Sequence, residues 1–272
     1  MSGVPEVPPP QQAPLASSGT SRAAVARTMA ASLLRAGVPP LIGVLTLPVI
    51  LRGVSLSDYG LWATLTGIVA LWGVVTAGIA TEVTRKVAHA RGEQDMAEVV
   101  EVGRQGVAAV IVLAAVSLPV TAIAGVPLMH VVAPAGMFAT GMQLWIALMF
   151  YQVAAWFGAA QAAVVVGLQR GELPNSINAA AAVLGAVVTV GLVILGWGVD
   201  ALLIGMIVMG LTSAVCQMAV TRHLTGTASI WLPRRTRGLT AMLLAGVALG
   251  SMQISLLVEP AFAKVVLSAC CG

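Results

Sequence analysis

The chain has 272 residues, of which 58% are hydrophobic and only 9% charged, with a mean hydropathy of +0.97. Water-soluble domains carry roughly a quarter charged residues, so a soluble domain is excluded. The net charge of +4 comes from basic residues scattered without aromatic neighbours, which excludes a nucleic-acid binder. Each helical membrane crossing takes about 20 apolar residues, and the ten-residue alternation of an outer-membrane barrel is absent. The composition therefore predicts an all-α integral membrane protein.

Residues 1–21, MSGVPEVPPPQQAPLASSGTS, are rich in Pro, Ser and Gln and cannot bury a core, so a disordered tail is expected. A cleaved signal peptide is not expected, because the first apolar segment runs on into LRGVSLSDYG without a small-residue cleavage site. Seven apolar segments predict spans near residues 29–51, 60–80, 106–124, 142–168, 177–196, 201–219 and 239–257. The connections SLSDYG, GVPLMHVVAPAG, GELPNS and GWGVD are short and carry helix-ending residues.

Lys and Arg set the orientation. With the N-terminus in the cytoplasm, the inner side holds Arg22, Arg27, Arg85, Lys86, Arg91, Arg104, Arg170, Arg222, Arg234, Arg235 and Arg237, eleven in all, against Arg52 and Lys264 outside. Much of this charge falls in GIATEVTRKVAHARGEQD, the loop between the second and third spans. Glu82 stands four residues before Lys86, and Arg85 four before His89, so a helix is expected to run on past the membrane with i,i+4 support. DMAEVVEVGRQ then suits an interfacial helix leading into the third span.

Ionisable or amide side chains within spans are the next signal, since a charge at a helix centre costs about 2.5–3.5 kcal/mol on insertion scales. Arg35 lies early in the first span, just before Pro39 and Pro40, which are expected to kink or break the helix. Two readings of it stand: a cation holding an anionic substrate group, or a side chain reaching back to the headgroups. The fourth span carries Gln143, Tyr151, Gln152, Trp156 and Gln161. Gln152 and Gln161 point to opposite helix faces and serve either a cavity or helix packing. Gly246 and Gly250 form a GxxxG in the seventh span, Glu259 ends it, and Lys264 has no carboxylate counter-ion in the third span. Cys216, Cys270 and Cys271 form no disulfide or metal framework. No Walker loop, G-x-S-x-G or H-E-x-x-H occurs, so neither enzyme activity, metal nor cofactor is expected.

PVILRGVSLSDYGLWA, GIATEVTRKVAHARGEQD, PNSINAAAAVLGAVVTVGLVILGWGVDALLIG and SLLVEPAFAKVVLSACCG resemble successive stretches of polysaccharide-exporting flippases of the MOP superfamily, the group that includes O-antigen and lipid II flippases. Arg52, Asp58, Tyr59, Gly60 and Arg85 take places in that pattern. The resemblance implies a six-span N-terminal lobe over 22–224, a basic cytoplasmic loop over 225–238, and a seventh span with a short outer C-terminus over 239–272. It implies export of polyprenyl-diphosphate-linked oligosaccharide across a bacterial inner membrane, with Arg35, Arg85 and Arg52 as diphosphate-binding cations; Gln152 joins them as a candidate from the fourth span. Twelve Arg against two Lys suit a GC-rich bacterial genome. Family members have two lobes, so the chain reads as a truncated or inactive half, or as a subunit that self-associates or meets a partner lobe. The alternatives are a cation-coupled antiporter of the related MATE type, which would need a buried carboxylate, and a membrane scaffold of a polysaccharide assembly complex that does not itself transport.

Overall fold

Backbone polar groups in lipid must pair within their own segment, which leaves long apolar stretches the helix as their stable form. The computed structural model describes residues 22–70, 72–227, 240, 242–244, 246 and 248, and among them there is no strand. Seven helices run in order: α1 Arg22–Gly53, α2 Leu56–Ala70, α3 Gly73–Gly92, α4 Met96–Val132, α5 Phe138–Gly167, α6 Glu172–Ile194 and α7 Asp200–Thr225. Thr240, Met242, Leu243, Leu244, Gly246 and Ala248 are also helical.

Five helices are long and apolar enough to cross a membrane: Ala36–Gly53 of α1, Met96–Val132, Phe138–Gly167, Glu172–Ile194 and Asp200–Thr225. The expected count of seven is not reached among the described residues. The second expected span divides into α2 and α3, and most of the seventh, with Glu259, Lys264, Cys270 and Cys271, lies outside them. At 15 residues α2 is about 22 Å long, too short for a hydrocarbon core of about 30 Å. The division falls beside Trp72 and Gly73, where a glycine costs roughly 1 kcal/mol of helix stability relative to alanine. Pro39 and Pro40 do not end their helix: α1 continues through both. Each proline removes one i→i−4 bond from its own helix, and the helical turns on either side carry the backbone through that loss.

α5 is the axis of the bundle, packing against α7 on one side and α3 and α4 on the other, with α2 alongside; α6 rests on α7, and α1 on α6. At one end Val83, Val87, Ala90, Val99, Val164, Leu168 and Met242 share a core. At the other, Ile50, Val54, Val193, Ala201 and Leu202 do. Arg85, Lys86, Arg91, Arg104, Arg170 and Arg222 therefore gather toward the first end, and Arg52 stands at the second.

The stretch DMAEVVEVGRQ is not a separate interfacial helix. It forms the first turns of α4, which is 37 residues and about 55 Å long, and buries Val99 and Val102 completely or nearly so. The reversal before it is made by Gln94 at φ 59 and by Asp95, whose side chain accepts the Glu98 N–H at 3.0 Å as an N-cap. The expected i,i+4 support is present, with Lys86 Nζ 3.5 Å from Glu82 Oε1.

Candidate functional site

Small residues shape the principal cleft. Ala155, Gly158, Ala159 and Ala162 on α5 face Ala179 and Ala182 on α6, and side chains this short leave space between helices. One cavity of 380 Å³ lies among α1, α5, α6 and α7, with Pro39, Tyr151, Asn178, Ser213 and Gln217 in its wall. A second of 600 Å³ lies among α3, α5 and α6, walled by Thr76, Thr81, Thr84, Arg85, Asn175 and Asn178. Ala159, Ala162 and Asn178 border both, so the two adjoin across these residues and together make one cleft region.

Asn178 organises the join. Its Oδ1 accepts from Ser213 Oγ at 2.7 Å and from Gln217 Nε2 at 3.5 Å, and Gln217 also donates to the Pro174 carbonyl at 3.3 Å. The Nδ2 donors of Asn178 take no part in this cluster. Gln217 is 1% exposed, yet its Oε1 has no partner among the described residues. Such a buried acceptor is satisfied by water or a ligand hydroxyl. Nearby, Asn175 Nδ2 donates to Ser32 Oγ at 3.3 Å, joining α6 to α1.

Arg85 is the cation in the wall of the larger cavity. Its guanidinium donates through Nε to Glu82 Oε2 at 2.9 Å and through Nη2 to Oε1 at 2.8 Å, a two-point ion pair along one face of α3. The hydrogen bond from Arg85 holds the Glu82 carboxyl below its ordinary value against the opposing effect of burial, with the charges of Arg85 and Lys86 adding to it. A carboxylate so depressed contributes stability above its unfolded value and loses it as pH falls toward its folded value. Thermal unfolding in detergent should therefore show a midpoint that drops from about pH 5 to about pH 3 more steeply in the native chain than in Glu82→Gln. Equal slopes would show that the pair contributes nothing.

The other residues singled out from the sequence lie elsewhere. Arg52 is exposed at the far end of α1, and α6, which separates it from Arg85, is about 34 Å long. Gln152 is 8% exposed and borders a 10 Å³ void with Trp72, Ser117 and Trp156, away from the cleft. Arg35 lies in α1 between Ser32 and Pro39, both of which belong to the cleft's surroundings, but its side chain is outside the described residues. Asn178, Ser213, Gln217 and Tyr151 were not among the sequence candidates as a group. The nearest signal was the pair Asn175 and Asn178, three apart at the start of α6 and so on one helix face.

The described chain is thus a multi-pass helical membrane protein with a small-residue cleft, bearing a few polar side chains, near its basic end. Among solved structures it is similar to a crystal structure of MATE in complex with MaD3S, with a TM-score of 0.66 over 90% of this chain at 14% identity. That likeness is one of fold, and this chain spans 56% of the length of that one. No family model matches the chain, and no curated protein matches it.

Proposed function

We propose that the chain is a transport unit of the MOP superfamily that moves polyprenyl-diphosphate-linked oligosaccharide across a bacterial inner membrane for cell-surface polysaccharide synthesis, without covalent chemistry. The carrying observation is the set of polar groups in an otherwise small-residue, apolar cleft wall: amides, hydroxyls and one guanidinium, with no Asp or Glu among the described lining residues. Asn, Gln, Ser and Thr side chains match the hydroxyls of a glycan, and Arg matches a phosphate through its planar donors. The MATE-like fold supports membership of the superfamily, and the sequence resemblance supports the flippase branch. On this reading the end bearing Arg85, Lys86 and Arg91 is cytoplasmic, as is the N-terminus. This chain spans 56% of the MATE chain, and on this reading the described helices supply one lobe of the transport cavity.

The fold fits a MATE-type antiporter equally well, and that is the second reading. A cationic cargo calls for an available carboxylate, whereas Glu82 is already bound by two cations. The chain reconstituted in liposomes discriminates. Movement of a fluorescent polyprenyl-diphosphate oligosaccharide between leaflets, lost in Arg85→Ala, supports export. Efflux of a cationic dye without that movement supports antiport, and neither activity, with retained binding to polysaccharide-assembly proteins, supports a scaffold.

A further inference from the structure

Among the described residues the charged group lining the cleft, Arg85, is already engaged, and the form of that engagement sets what can bind. Arg85 has five N–H donors. Glu82 occupies two of them, and the remainder lie on a side chain that is 68% exposed and borders the 600 Å³ cavity. The Glu82 side chain is 11% exposed, tucked on the same helix, with Lys86 Nζ 3.5 Å from its Oε1 and only 27% exposed. The two cations and the carboxylate together carry a single positive charge.

We propose that Glu82 is an internal counter-ion that competes with cargo for Arg85 and makes the cleft selective for anions of two or more negative charges, of which a diphosphate group is the matching class. The proposal rests on the export reading and names the residue that tunes the same site. An anion of one charge gains nothing by replacing a carboxylate that is covalently tethered beside Arg85, because the tether gives the carboxylate a high effective concentration. A diphosphate spans more donors and brings more charge, so it can displace the carboxylate. When it does, Lys86 stands within reach of Glu82 and keeps the displaced carboxylate paired, which avoids the penalty of an isolated buried charge. Glu82 therefore lowers affinity in order to raise discrimination, as repulsive or competing elements do at specific sites.

The test is titration calorimetry on the full chain in detergent with inorganic pyrophosphate, alongside competition by acetate. A parallel arm uses nanodiscs containing polyprenyl diphosphate, which separates a free diphosphate from a lipid headgroup as the source. In Glu82→Gln, pyrophosphate or polyprenyl diphosphate should bind roughly 3- to 10-fold more tightly, and acetate should become a measurable competitor. Arg85→Gln should abolish binding in both backgrounds. Tightening distinguishes the proposal from a structural role, since a damaged fold weakens binding rather than strengthening it. Unchanged or weaker binding in Glu82→Gln, with Arg85→Gln still abolishing it, overturns the counter-ion role and leaves the export reading standing. Absence of binding by the native chain in both arms, or binding that survives Arg85→Gln, overturns both.

Discussion

On the proposed export reading, Asn178→Leu is expected to reduce lipid-linked oligosaccharide movement in liposomes by roughly tenfold or more while the chain still inserts and folds. The side chain stands in the wall shared by the two cavities, so a branched apolar group there fills space on both sides and removes the Nδ2 donors. It also withdraws the acceptor that Ser213 and Gln217 share. Ser213 can turn to a carbonyl of its own helix, but Gln217, 1% exposed, keeps only the Pro174 carbonyl for Nε2 and still has no donor for Oε1. Leaving one buried amide group underbonded costs about 1–3 kcal/mol. Asn178→Asp separates the effects, because it keeps the acceptor for Ser213 and Gln217 but exchanges a donor for a negative charge in the cleft wall. It should retain stability and repel a diphosphate. Transport by Asn178→Leu at the native rate would remove the join of the cavities from the route.

Gly78→Leu should be the most damaging single change to the architecture. A Cβ at Gly78 would land on the Gly246 carbonyl oxygen and lie 2.9 Å from Gly246 C and 3.0 Å from its Cα. Those are backbone atoms, which cannot rotate away. The segment carrying Gly246 must then leave α3, and with it Met242, which is fully buried against the core containing Ile79 and Val83. Overpacking typically costs about 1–3 kcal/mol, and a leucine at a backbone-to-backbone contact belongs at the upper end. The readouts are the thermal midpoint in detergent and maleimide labelling of Met242→Cys in a chain lacking Cys216, Cys270 and Cys271. Protection in the parent and rapid labelling in Gly78→Leu is the expected pair; equal protection in both would show that α3 and this segment do not make the contact.

Much of the helical framework could be read from the sequence because lipid leaves few alternatives. Five of the apolar segments became long helices, and the charges of 78–95 fell at one end with the expected Glu82–Lys86 contact. Failures arose where tertiary context outweighed a local rule. Pro39 and Pro40 did not interrupt α1, whereas the unremarked Trp72 and Gly73 stand at the interruption of the second span. Val99 and Val102 alternate with acids in a way that suited a membrane surface, yet α3 and α5 supply them with a protein one. The cleft was barely legible. Its wall takes Thr84, Tyr151, Asn178 and Ser213 from four helices, and no spacing in one dimension announces that they meet. Arg85 was found because charge near lipid is conspicuous; Gln152 was conspicuous for the same reason, and its surroundings of Trp72, Ser117 and Trp156 are those of a helix contact.

The position of α1 has a wider consequence. It lies along α6, tied at one end by Ile50 and Val54 to the cluster holding Val193 and Ala201, and near the other by Ser32 to Asn175. Its opposite side leaves Leu33, Leu41, Val44 and Leu45 largely uncovered. Among the described residues the breadth of the cleft beside Pro39 is accordingly bounded by a single seam, like the opening of a hinged panel fastened along one edge. On the proposed transport reading, residues along that seam that never touch cargo would set how bulky a cargo the cleft admits.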